Sequence, residues 1–119
     1  SDYFLGGAIV YANAEKVRQC GVPEAMLAEH GAVSEPVARA LAEGIRLRSG
    51  AAWGVAVTGV AGPGGGTAEK PVGTVHVACA GTAGTVHEKL RLPYDRPRNL
   101  AATVAMALDL LRRTLLATT

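Results

Sequence analysis

Aromatic side chains and cysteines are scarce in this chain. Phe, Trp and Tyr together make up 4% of its 119 residues, and Cys20 and Cys79 are the only cysteines. A core with so few rings is built from Ala, Val, Leu and Ile. Such small side chains let helices and strands lie close together, as in layered α/β domains. Two isolated cysteines form no Cys-x-x-Cys pair and cannot complete a zinc site without His30, His76 or His87. Those histidines fall far apart on different expected elements, so no metal site is assigned. No apolar run approaches the length of a membrane span, and no secretory signal is visible. The expectation is a cytoplasmic protein with reduced thiols and no membrane contact. Charge of one sign is lacking as well: 12 basic residues face 10 acidic ones, for a net charge of +2. The charges are scattered rather than gathered in one basic patch, which argues against nucleic acid as a partner.

The hydrophobic share is 49%, enough to bury a core, and the length allows one domain, residues 1–119. The short apolar run Gly7–Tyr11 reads as a buried strand. Asn13 is a cap candidate for a short helix through Cys20, and Pro23 opens another over Glu24–Glu29. Ser34, followed by Glu35 and Pro36, starts a clearer helix that Gly50 ends. Trp53–Thr58 is a second buried strand. A Gly- and Pro-rich loop runs from Gly59 to Pro71. Val72–Ala80 and Thr85–Leu92 both alternate and form a hairpin around Gly81–Gly84. In the second of these, Val86, Leu90 and Leu92 are read as inward, with Thr85, His87, Lys89 and Arg91 on a wet face. Pro93–Asn99 is read as a polar loop and Leu100–Leu116 as the last helix. A helical crossover between the first two strands implies parallel pairing. The expected fold is α/β, with a mixed sheet and helices on both faces.

Chemistry is expected in three places. Thr58–Thr67 follows a strand, and its glycines, Gly59, Gly62 and Gly64 among them, let backbone N–H groups approach an anion. It is neither a Walker loop nor a dinucleotide fingerprint, and a plain connection between strands accounts for it equally well. Tyr11, Asn13 and Lys16 lie just past the first strand. From the residues alone, Lys16 reads first as a solvated lysine. It becomes a usable base only if it is desolvated, with the Tyr11 hydroxyl to orient or relay a proton. Arg96 and Arg98 form either a basic loop paired with Asp95 or a phosphate fork. Glu69 and Lys70 read as a solvated loop tip.

Five stretches, in this order, resemble the C-terminal domain of the CinA family. They are Tyr3-Phe4-Leu5-Gly6-Gly7, Tyr11-Ala12-Asn13-Ala14-Glu15-Lys16, His30-Gly31-Ala32-Val33-Ser34, Thr58-Gly59-Val60-Ala61-Gly62-Pro63-Gly64-Gly65 and Lys70-Pro71-Val72-Gly73-Thr74-Val75. Asp95-Arg96 through Arg98 fits too. The resemblance implies a three-layer α/β/α fold with a mixed, mostly parallel sheet of four to five strands. It also implies hydrolysis of the amide of nicotinamide mononucleotide to nicotinic acid mononucleotide and ammonia, with no cofactor and no metal. In that family a serine within Glu-Ser-Cys-Thr-Gly-Gly is the nucleophile. Lys16 matches its base and Tyr11 the tyrosine beside it, while Thr58 and Arg98 match residues that hold substrate. Asn13, Gly59, Gly62 and Gly64 join the expected substrate-binding set. The serine motif belongs upstream of the first strand and does not occur in these residues. The chain is therefore expected to lack the N-terminal helix carrying the nucleophile, and to be inactive or nearly so. A homo-oligomer is expected. The alternative is a non-catalytic nucleotide- or phosphate-binding or interaction module linked to competence or DNA damage.

Overall fold

A computed structural model describes residues 2–118. The elements run α1 (Asn13–Cys20), α2 (Glu24–His30), α3 (Glu35–Ser49), β1 (Gly54–Gly59), β2 (Thr74–Gly81), β3 (Gly84–Arg91) and α4 (Arg96–Thr118). No helix among the described residues is long and apolar enough to cross a membrane.

The strands form one sheet in the order β1-β2-β3, antiparallel throughout. The hairpin expected over residues 72–92 is present: Gly81 pairs with Gly84, and Thr74 with Arg91. The mostly parallel sheet of four to five strands is not. Residues 7–11 were expected to supply the parallel strand. They run instead outside any ladder, with Ile9 and Tyr11 exposed. An apolar, β-branched run fits a strand, but only a hydrogen-bonded neighbour makes it one. Residues 54–57 of β1, on the edge of the sheet, share an apolar cavity of about 780 Å³ with residues 3–8 and 10.

The expectation of helices on both faces holds, and the alternation along β2 explains how. Val75, Val77 and Cys79 face α4 and pack with Leu92, Ala107 and Leu110. Ala78 and Ala80 face the other way, onto Ala38 and Ala42 of α3. Alanine on both sides of that contact brings the helix close to the sheet. The outer face of α3 carries α1 and α2 through Cys20, Val22, Leu27, Val37 and Leu41.

Local signals set several helix ends. The Ser34 hydroxyl accepts the Val37 N–H at 3.4 Å, the N-cap expected of it, and Gly50 ends α3. Asn13 does not cap α1; the N-cap residue is Ala12, and Asn13 is the first helical residue. Helix α4 starts at Arg96, four residues before the expected Leu100, because Asp95 Oδ1 accepts the Arg98 N–H at 3.0 Å. An Asp cap followed by Pro97 in the first turn is a sufficient start signal.

The contact between α1 and α3 depends on Gly44. A Cβ at that position would overlap the Cys20 carbonyl at the end of α1. Replacing Gly44→Ala should destabilise the chain by about 2–3 kcal/mol, since overpacking against backbone cannot be relieved by a rotamer change. Urea denaturation measures this, and an unchanged midpoint would mean that α1 moves aside at no cost.

Candidate functional site

Lys16 stands at the end of the first turn of α1 and is 6% exposed. Its ammonium group turns back on the chain, and Nζ donates to the Tyr11 carbonyl oxygen at 2.8 Å. Burial pushes its pKa below the ordinary lysine value. The reading of a solvated lysine is therefore replaced by that of a held, partly desolvated amine, the environment that makes a lysine a base. Tyr11 meets Lys16 through its main chain and is itself 85% exposed. Asn13 is exposed on the same turn.

A second group of polar contacts gathers where β1 ends. The Thr58 hydroxyl donates to the Ala32 carbonyl at 2.8 Å, and so ties β1 to the turn before α3. Lys70, expected at a solvated loop tip, reaches the same turn, with Nζ 2.6 Å from the His30 carbonyl oxygen. The Gly-rich connection is held rather than loose. Arg96 Nη1 donates to the Gly62 carbonyl at 3.2 Å, and the Asn99 side-chain amide donates to Ala61 O at 3.1 Å and to Tyr94 O at 3.0 Å. Asn99 Oδ1 accepts the Tyr94 N–H at 3.1 Å. Gly62 takes a positive φ of 89° with Val72 against it, a place where a side chain would be both strained and crowded. Gly59 lies against Thr74 and Val75 of β2, whereas the space beside Gly64 is open.

Arg98 stands apart from these contacts. Its side chain is 76% exposed and lies 3.8 Å from Asp95. No side-chain hydrogen bond among the described residues joins Lys16 to the Thr58 loop; the two groups share α3 as a common support. Neither Lys16 nor Thr58 lines the apolar cavity beside β1, so the cavity and the polar candidates are separate features.

Sequence reasoning passed over Asn99, which is fully buried and whose side chain makes three hydrogen bonds among the described residues. The available signal was its place four residues after Asp95, within the first turn of a helix that Asp95 caps. It also placed the histidines far apart, whereas His76 Nδ1 and His87 Nε2 are 2.9 Å from each other. Among the described residues no group of three or more His, Cys, Asp or Glu side chains is placed to hold a metal ion.

A family model described as the CinA C-terminal domain matches residues 1–115. A CinA-like protein of Anaeromyxobacter dehalogenans (strain 2CP-C) is 62% identical over 104 residues, covering 86% of this chain and 26% of the relative. A CinA-like protein of Gloeobacter violaceus is 53% identical over 115 residues, covering 95% of this chain and 27% of the relative. The chain thus spans about a quarter of the length of the curated relatives it matches. Among solved structures, the competence/damage inducible protein CihA from Agrobacterium tumefaciens matches with a TM-score of 0.84 and 43% identity, over 87% of this chain and 64% of that one. A competence or damage-inducible protein from Enterobacter asburiae matches with a TM-score of 0.84 and 29% identity, over 89% and 67%.

Replacing Asn99→Ala should cost about 2–3 kcal/mol, because the fully buried Asn99 amide is lost and the Tyr94 N–H and the Ala61 and Tyr94 carbonyls lose their partner. Thermal unfolding measures the loss. Hydrogen exchange should quicken in residues 60–66, and unaltered exchange there would show that Asn99 does not hold the loop.

Proposed function

Because the chain belongs to the CinA C-terminal domain family, we propose that its polar groups serve hydrolysis of the amide of nicotinamide mononucleotide, giving nicotinic acid mononucleotide and ammonia. The observation that carries this reading is Lys16. A buried lysine whose pKa is lowered by desolvation, and whose amine donates to a main-chain carbonyl, is suited to take a proton from a hydroxyl nucleophile.

The nucleophile comes from polypeptide beyond these residues. The described serines are committed elsewhere: Ser34 donates to Gly31 O and caps α3, and Ser49 donates to Arg46 O. In the proposed reaction a serine hydroxyl gives its proton to neutral Lys16 Nζ as its oxygen bonds to the amide carbon. The C–N bond then breaks, and the leaving nitrogen takes the proton from Lys16 and departs as ammonia. Water, deprotonated in turn by Lys16, hydrolyses the acyl-serine to the carboxylate. The exposed guanidinium of Arg98 is suited to a phosphate, and the open space beside Gly64 leaves its backbone accessible to an anion.

In a version of the protein that carries the serine segment, Lys16→Ala should lower kcat by about 100- to 10,000-fold. Its affinity for nicotinamide mononucleotide should stay within a few fold. Because the amine must be neutral to act, kcat/KM should rise with pH through an ionisation below the ordinary lysine range. Ammonia release measures all three, and turnover that survives in Lys16→Ala would remove Lys16 as the base. The 119-residue chain alone should release no ammonia above a blank. Binding of the nucleotide without turnover in any version would favour the non-catalytic module.

A further inference from the structure

The face of the sheet under α3 carries a row of polar side chains that the proposed chemistry does not use. In the antiparallel register Thr58 is paired with His76, and His76 with Lys89, so the three stand side by side across the sheet. His87, two residues from Lys89 on β3, leans over this row. Its ring stacks on that of His76 with centroids 5.1 Å apart, and Nε2 lies 2.9 Å from His76 Nδ1. On its other side, His87 Nδ1 is 3.6 Å from Glu35 Oε1, in the first turn of α3. Both histidines are almost covered: His76 is 8% exposed and the His87 side chain 9%. At Thr85 and His87 the wet face expected for β3 is thus a polar seam beneath α3, while Lys89 and Arg91 are exposed as expected. Arg39 closes it, donating to Glu35 Oε2 at 2.9 Å and to the Thr85 carbonyl at 2.7 Å. The Thr85 hydroxyl donates to Glu43 at 2.7 Å.

Two imidazole nitrogens 2.9 Å apart have room for one proton between them, not two. The Glu35 carboxylate favours a proton on His87 Nδ1, which leaves His87 Nε2 as acceptor for the N–H of His76. A first added proton is accommodated. His87 becomes imidazolium between Glu35 and a neutral His76, with Nε2–H now donated to His76 Nδ1. A second proton has no place, since it would set N–H against N–H and one cation against another.

We propose that His76, His87 and Glu35 form a proton-operated latch that holds the N-terminal turn of α3 against Thr58. The turn is gripped twice, by Thr58 through the Ala32 carbonyl and by the histidine pair through Glu35, three residues further on. Taking up the second proton breaks the histidine contact, loosens the seam and releases the grip on Ala32. The surrounding charges set the order of events. Burial lowers the pKa of both rings. His87 is then raised by Glu35, lowered by Arg39 and raised by Glu88. His76 is lowered further by His87 and Lys89, raised by Glu35, and lowered by Lys70. An unfolded histidine takes its proton at about pH 6.5. The folded pair takes its protons lower, so below that pH the unfolded state binds more of them and stability falls as the solution is acidified. The latch goes beyond the amidase reading and stands whether or not the site cleaves an amide.

The test is an NMR titration of the 119-residue chain, following the ring resonances of His76 and His87 and the amides of Thr58 and Ala32. The latch predicts two separate protonation steps for the pair, with the Thr58 and Ala32 resonances moving in the second. Glu35→Gln, at a half-exposed side chain, should weaken the first step about threefold to tenfold in proton affinity. His76→Gln should leave His87 with one step. Should that variant fail to fold, the parent chain and Glu35→Gln still decide the matter. Identical single-step titration of both histidines, or Thr58 and Ala32 resonances that stay fixed throughout, would overturn the latch.

Discussion

The whole architecture follows from the burial of β2. This strand is paired along both edges and covered on both faces, so its backbone is satisfied by β1 and β3 and its side chains by α3 and α4. The two faces meet that demand differently. Val75, Val77 and Cys79 give α4 an apolar floor. Ala78 and Ala80 bring α3 in close, and further along the same face His76 turns the contact polar. A helix that lies over both alanine and histidine must itself change character along its length. Ala38 and Ala42 meet the alanines, while Glu35, Arg39 and Glu43 form a charged stripe at its margin.

What the sequence made legible was whatever has a local cause. Ser34 with Pro36 and Gly50 bounded α3, and the alternation of residues 74–91 marked the hairpin, because caps and period-two patterns act within a few residues. Lys16 and Thr58 were picked out with their surroundings still unknown, and burial of the Lys16 amine settled the choice between solvated and held. What was not legible depends on partners distant in the chain. Residues 7–11 have a strand's composition without a strand's neighbour. His76 and His87 were assigned to different strands, and only the register of the hairpin shows that they meet. Val86, read as inward, is exposed, because the α4 layer does not fully cover β3, while His87, read as wet, lies beneath α3.

The connection between β1 and β2 shows the same logic at the site. A long loop with so much glycine has many backbone groups to satisfy and few side chains of its own to do it. Thr67 and Lys70 bond each other within it, and the other partners come from elsewhere: Asn99 and Arg96 from the start of α4, and Thr74 from the start of β2, whose backbone pairs with Val60. The early start of α4 therefore matters to the loop. Had the helix begun at Leu100, neither Arg96 nor Asn99 would stand on a rigid element facing Ala61 and Gly62.

Lys16 and Thr58 are each anchored through a main-chain carbonyl, and both anchors lead back to α3. Helix α1 packs on α3, and Thr58 grips the turn that enters it. Both groups thus rest on one helix rather than on a flexible loop, the kind of support that the proposed use of them in catalysis asks for. Burial also sorts the cations. Lys16, nearly covered, is the one suited to give up its proton, and Arg98, largely exposed, is suited to a charge contact with an incoming anion. The proposed substrate carries both a phosphate and a scissile amide, and the proposed reaction asks for one cation of each kind.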